Sequence, residues 1–240
     1  MKRWLIAFAC LACATAGAMT MERDGATLLM SGIVSSSDRD RFKDQLDDGT
    51  LRLVILSESA GGDLNAAMWI AHEIRNRKIN TAVDGLCASA CAIIFMGGEA
   101  RQMLDGENLA RTRLGFHGAH KAANRRVSER DSERMRAWLY EASNGKFNGR
   151  LLDRAITIHS PEDMMFFYYP RQDRISAWFC AAGAEPRPSA CDTLRGIDIL
   201  KAGILTTTKL LAMDVPAGRT APAMPPARGA DDALDEAPAH

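Results

Sequence analysis

The chain has 240 residues, 47% of them hydrophobic, with 30 basic and 30 acidic side chains. A balanced charge excludes a protein built to hold nucleic acid or an anionic membrane surface through a basic field. The length suits one domain with a sizeable core.

Residues 1–18 have the layout of a secretory signal peptide. Lys2 and Arg3 open it, Trp4 to Ala14 is apolar, and Ala14-Thr15-Ala16 or Ala16-Gly17-Ala18 offers small residues for cleavage. The apolar run is shorter than the roughly 20 residues of a membrane span, so no stable membrane anchor is expected. Cys10 and Cys13 lack the leucine-small-small context of a lipoprotein. Removing Lys2 and Arg3 leaves 28 basic against 30 acidic residues, a net of −2. The mature chain is expected outside the cytoplasm, in a bacterial periplasm or secreted.

Thr27 to Val34 predicts a strand and Asp38 to Leu46 a short helix. Leu51 to Leu56 is a short apolar run followed at once by Ser57-Glu58-Ser59-Ala60-Gly61-Gly62, the pattern of a buried strand and its turn. In Asp63 to Lys78, Leu64, Ala67, Met68, Ala71 and Ile74 recur at helical spacing, and Glu73 with Arg77 makes an i,i+4 pair. Ile79 to Val83 predicts a further strand, and Ser89 to Met96 a buried helix closed by Gly97-Gly98. Strand and helix in alternation predict an α/β fold with a parallel sheet packed by helices.

Beyond it, Arg111 to His117 predicts a strand and Ser128 to Lys146 a charged, exposed helix that could act as an interaction arm. Gly149 to Ile158 predicts another helix. Ser160-Pro161-Glu162-Asp163 has the features of a helix start: a capping serine, proline in the first turn, and acids beside the positive end. From residue 213 the composition changes. Five of the nine prolines (Pro216, Pro222, Pro225, Pro226 and Pro238) lie among Ala, Gly and Asp, which predicts a disordered tail over 213–240. The folded domain is therefore expected over 19–212.

Four cysteines remain after processing: Cys87, Cys91, Cys180 and Cys191. An even count in an oxidising compartment favours disulfides. Three pairings are open. Cys180 with Cys191 closes a short loop rich in Gly and Pro, which would leave Cys87 to Cys91.

Three features carry chemistry. Gly61-Gly62 follows a buried strand and precedes a helix, where bare backbone N–H groups can approach a ligand. As a plain strand-to-helix turn it would bind nothing. Ser89 stands between small residues at the start of a buried helix; the N–H of Ala90, with that of Gly61 or Gly62, could hold an oxyanion. Its ordinary role there would be to cap the helix. His117, in Leu114-Gly115-Phe116-His117-Gly118-Ala119-His120, could take a proton from a serine, with His120 competing for the same role.

In this order the Ser59-Ala60-Gly61-Gly62 turn, the helix Asp63 to Lys78, Cys87-Ala88-Ser89-Ala90 and the histidine 28 residues after Ser89 resemble the Clp protease proteolytic-subunit fold of the ClpP/crotonase superfamily. More narrowly they resemble exported ClpP-like proteins. The resemblance covers roughly residues 50–120. It implies a fold of repeated β-β-α units, Ser89 as nucleophile, His117 as general base, and an oxyanion hole from Gly61 or Gly62 with Ala90. Asp163, 46 residues after His117, stands where the family's aspartate would be expected. Ala60 replaces the family's usual proline before the glycines.

The implied activity is a serine peptidase acting on peptides or unfolded protein, with no cofactor and with a homo-oligomer as the family's habit; it is expected to be ATP-independent, because the chain carries no ATPase module and the periplasm lacks ATP. Two alternatives are a non-catalytic binding or assembly protein of the same fold, and a crotonase-type acyl-thioester enzyme, which would need cytoplasmic coenzyme A. A zinc site from Cys87, Cys91, His117 and His120 competes on ligand type, although the cysteine spacing is unusual for it. No P-loop or dinucleotide fingerprint is present.

Overall fold

A computed structural model describes residues 18–120, 128–156, 163–170, 175–181 and 191–212. The expected signal peptide up to residue 17 and the expected tail over 213–240 lie outside these residues.

The architecture is α/β, built among the described residues on one nine-stranded sheet. Its centre is parallel: β2 (Thr27–Ser31), β3 (Leu53–Ser59), β4 (Asn80–Ala88) and β6 (Arg113–Phe116) lie side by side. The short β5 (Arg101–Met103) also pairs with β4 in parallel. Both margins turn antiparallel. β1 (Thr20–Asp24) forms a hairpin with β2, and β7 (Met164–Tyr168), β8 (Ala177–Cys180) and β9 (Cys191–Thr193) continue outward from β6. The expected parallel sheet is thus a parallel centre with antiparallel wings. Crossover strands need cover on both faces, whereas hairpin-linked wings do not.

The helices obey the sequence pattern. α1 (Asp38–Asp44) packs Phe42 inward. In α2 (Leu64–Asn76), Ala67, Met68, Ala71 and Ile74 turn to the core, and the Asp63 carboxylate caps the helix by accepting the Ala66 N–H at 2.7 Å. α3 (Ala90–Phe95) is apolar all round and wholly buried, as such a helix must be. α4 (Glu129–Ala142) corrects the expectation of an exposed arm. Met135, Trp138, Leu139 and Ala142 are buried, and Trp138 donates its indole N–H to the Ile93 carbonyl at 3.3 Å. Its charges occupy only the outer face. α5 is Gly149–Ile156.

The ends of several elements also move. β4 extends past Val83 to Ala88, beyond the strand expected over Ile79 to Val83, and α3 begins after Ser89. Ser160 to Glu162 of the expected helix start, and the last two residues of the helix expected over Gly149 to Ile158, lie outside the described residues. Asp163, however, leads into strand β7. Met-Met-Phe-Phe-Tyr is an apolar and aromatic run that fits between two strands better than on a half-wet helix. Among the described residues, no helix is long and apolar enough to cross a membrane.

Candidate active site

The site is assembled at the carboxyl ends of three neighbouring parallel strands, β3, β4 and β6. Open α/β sheets bind ligands at this edge, because strand ends and helix starts present unpaired backbone groups there. Gly61-Gly62 leaves β3, Ser89 leaves β4 and His117 leaves β6.

A bulge brings the first two together. Ser57 pairs with Asp84, but Ser59 pairs with Cys87, so the offset between β3 and β4 grows from 27 to 28 residues. The extra residue falls where Gly85 adopts φ +74° and Glu58 φ +42°. Bulges re-aim side chains and recur beside functional sites. Continued along the chain, the new offset sets Gly61 against Ser89, and the contact is tight. A Cβ on Gly61 would lie 2.6 Å from Ser89 Cβ and 2.8 Å from the Ala90 nitrogen. Only glycine permits that approach, and its φ of +99° is one that other residues avoid.

Ser89 is not a capping serine. Its backbone stands at φ +56°, ψ −123°, and its side chain makes no capping hydrogen bond. Such a conformation costs on the order of 1–3 kcal/mol and persists only where its surroundings impose it. Here they do. The Ser89 N–H donates to the Gly115 carbonyl at 2.8 Å, its carbonyl accepts the Ile93 N–H at 3.2 Å, and a disulfide joins Cys87 to Cys91 across it. The serine is half-buried. A sharp strand-to-helix turn of this kind presents a hydroxyl at the top of a sheet, with the next N–H pointing at whatever the hydroxyl attacks.

The backbone donors divide clearly. The Gly61 N–H donates to the buried Ser59 hydroxyl at 3.3 Å. Val34 grips the turn from the other side, its N–H donating to the Gly61 carbonyl at 2.8 Å and its carbonyl accepting the Asp63 N–H at 2.9 Å. That leaves the Gly62 and Ala90 N–H groups without an acceptor among the described residues.

His117 follows β6 directly. Cys87 pairs with Leu114 and Ala88 with Gly115, so His117 emerges at the same edge as Ser89. Its Nδ1 is buried with no hydrogen-bond partner. Burial, and then the neighbouring His120, push its pKa down to about 4. His120 lies beside it with ring centroids 5.4 Å apart and planes at 31°, and both of its ring nitrogens are buried without partners. β7 delivers Asp163 to this edge. Phe116 pairs with Met165, and the same register continued sets Asp163 beyond His117, against Gly118. Its carboxylate is not hydrogen-bonded to His117 Nδ1.

Both disulfides of the favoured pairing are present, Cys87–Cys91 and Cys180–Cys191. The first removes the two sulfurs from the zinc set, and among the described residues no group of three or more metal-ligating side chains occurs. Two parts of the site carry no motif in the sequence: the bulge and the Ser59 hydroxyl. Only Gly85, an isolated glycine within a strand pattern, was a signal for the bulge.

No family profile matches the chain, and no curated protein matches it. Among solved structures it is similar to the membrane-bound stomatin-specific protease 1510-N, at 18% identity over 56% of this chain and 71% of that one, with a TM-score of 0.40. It is also similar to ClpP1 from Listeria monocytogenes, at 20% identity over 55% and 78%, TM-score 0.42. A third is the ClpP protease catalytic domain from Plasmodium falciparum, at 18% identity over 53% and 70%, TM-score 0.40.

Proposed function

We propose that this chain is an ATP-independent serine hydrolase acting on peptides or unfolded protein segments, exported and working in an oxidising compartment such as a bacterial periplasm. Ser89 Oγ attacks the substrate carbonyl carbon while His117 takes the hydroxyl proton. The Gly62 and Ala90 N–H groups hold the oxyanion, and His117 then returns the proton to the leaving amine. Water repeats the sequence on the acyl-enzyme. The carrying observation is the backbone of Ser89 at φ +56°, wedged between β4 and α3 against the bare backbone of Gly61. A helix start does not need that conformation; an attacking hydroxyl with adjacent N–H donors does.

A neutral His117 suits the role, because at pH 7 it is unprotonated and ready to accept. The bonded cysteines accord with export. Association into a homo-oligomer belongs to the same reading and is checked by sedimentation of the purified chain.

A fluorophosphonate probe tests the proposal. The purified protein should be labelled stoichiometrically, and Ser89→Ala should not be labelled at all. A wild-type protein that stays unlabelled, beside a reacting control hydrolase, would sink the enzyme reading. The second reading is a non-catalytic binding or assembly protein of the same fold, and one observation favours it: His117 Nδ1 accepts or donates nothing. That reading gains if Ser89→Ala leaves binding of unfolded peptides intact while no labelling occurs.

A further inference from the structure

We propose that His120 is the residue that orients His117, through an imidazole–imidazole hydrogen bond to His117 Nδ1, in the role that the family resemblance implies for Asp163. Its functional consequence rests on the serine-hydrolase reading; the hydrogen bond itself does not.

A histidine that takes a proton on one ring nitrogen needs the other held as N–H. Otherwise the ring turns and the tautomers mix. His117 Nδ1 is buried without a partner, and so are both nitrogens of His120. Three orphaned polar atoms within two touching rings are unusual in a folded interior, where buried polar atoms pair. One bond between the rings satisfies one atom on each. The geometry allows it. Two imidazoles joined N–H···N stand about 5.3 Å apart, from about 3 Å between nitrogens and about 1.15 Å from each nitrogen to its ring centre. The rings stand 5.4 Å apart with planes at 31°. Turning a ring by 180° about its Cβ–Cγ bond exchanges carbon and nitrogen positions without moving the ring or the backbone.

The backbone supports His120 in this place. Its neighbour Ala119 donates its N–H to the Ser132 hydroxyl at 3.2 Å and accepts the Ser128 N–H at 2.8 Å, which ties the 117–120 turn to the start of α4. The electrostatics agree. A carboxylate bonded to Nδ1 would favour the imidazolium and raise its pKa. Burial and His120 instead lower that of His117 to about 4. An imidazole partner fixes the tautomer while stabilising the developing imidazolium less than a carboxylate would. This predicts a nucleophile slower than one backed by a carboxylate.

The test compares His120→Ala, His120→Gln and Asp163→Asn by two measurements. The first is long-range proton–nitrogen NMR of the ring nitrogens. Wild type should show coupling across a hydrogen bond between His117 Nδ1 and a nitrogen of His120, with Nδ1 protonated. In His120→Ala the His117 tautomers should mix. The second is the fluorophosphonate labelling rate per folded molecule. His120→Ala should lower it about 100-fold, His120→Gln should recover it to within about tenfold because an amide can still accept from Nδ1, and Asp163→Asn should stay within about threefold. Absence of coupling in the wild type overturns the proposal, as does loss of labelling in Asp163→Asn with His120→Ala unchanged. An unlabelled wild type overturns the hydrolase reading alone, and the spectrum still decides the histidine pair.

Discussion

The two disulfides do different work because they sit in different parts of the sheet. Cys180 and Cys191 are opposite one another on β8 and the edge strand β9, 11 residues apart in sequence. They fix which residues pair at an edge where the ladder is short. Cys87 and Cys91 are four residues apart, both wholly buried at the centre, and they span the one residue whose backbone is forced to φ +56°. Chain entropy favours the edge bridge as a stabiliser, since the constraint on the unfolded chain grows with loop length. The central bridge closes too small a loop for that to be its main effect. It acts on a conformation, whereas the edge bridge acts on a pairing.

The largest effect should come from the glycine that leans on the central turn. Gly61→Ala places a methyl 2.6 Å from Ser89 Cβ on a residue at φ +99°, with the Ala88 carbonyl 2.7 Å away. Neither neighbour is the free end of a flexible side chain. We expect a loss of about 2–4 kcal/mol in denaturant unfolding and labelling of Ser89 reduced more than about 100-fold. Retained labelling would mean that the turn is not held as described.

Removal of each bridge then separates conformation from pairing. Cys87→Ala with Cys91→Ala should cost about 2 kcal/mol from loop closure alone, and should also lower labelling per folded molecule about tenfold or more. Cys180→Ala with Cys191→Ala should cost about 3 kcal/mol yet leave labelling per folded molecule within about twofold. Equal effects of the two pairs on labelling would erase the distinction between them. Unfolding curves and probe kinetics on the same samples make the measurement.

What could be read from the chain follows the range of the interactions involved. α2 was legible because its apolar spacing, its capping Asp63 and its Glu73–Arg77 pair are all local. Gly61-Gly62, Ser89 and His117 were legible because each marks the end of an element. The wing β7–β9 was not. Its strands are short, and they are strands because β6 offers an edge to pair with, which no local pattern announces. Ser160-Pro161-Glu162-Asp163 therefore read as a helix start, while the aromatic run behind it belongs to the sheet. The bulge between β3 and β4 is non-local in the same sense. The sequence shows Gly85, but only the pairing shows that it moves Gly61 into line with Ser89. His120 was visible as a rival to His117. Its place against the His117 ring depends on the tie between Ala119 and α4.

The last effect is one of pH, and its sign is fixed. His117 has a folded pKa of about 4, below the 6.5 of a free histidine, because burial and His120 disfavour its charge. Between these values the unfolded chain binds a proton at this position that the folded chain does not. Stability from this group is therefore complete above pH 6.5 and falls as the pH drops toward 4, by at most about 1.4 kcal/mol per unit. Replacing His117 with Gln should flatten the unfolding free energy over that window relative to wild type. Labelling depends on the folded state alone. It should hold nearly level from pH 7 down to about 5, then fall as His117 takes a proton near pH 4. Edge-bridge variants should keep this profile, because β7 lies between β8 and the strand β6 that carries His117. In variants lacking the central bridge, a loosened Ser89 turn would admit water beside His117 and carry the midpoint back toward 6.5. A midpoint near 6.5 in the wild type itself would mean that the turn is already open and that the central bridge does not seal it.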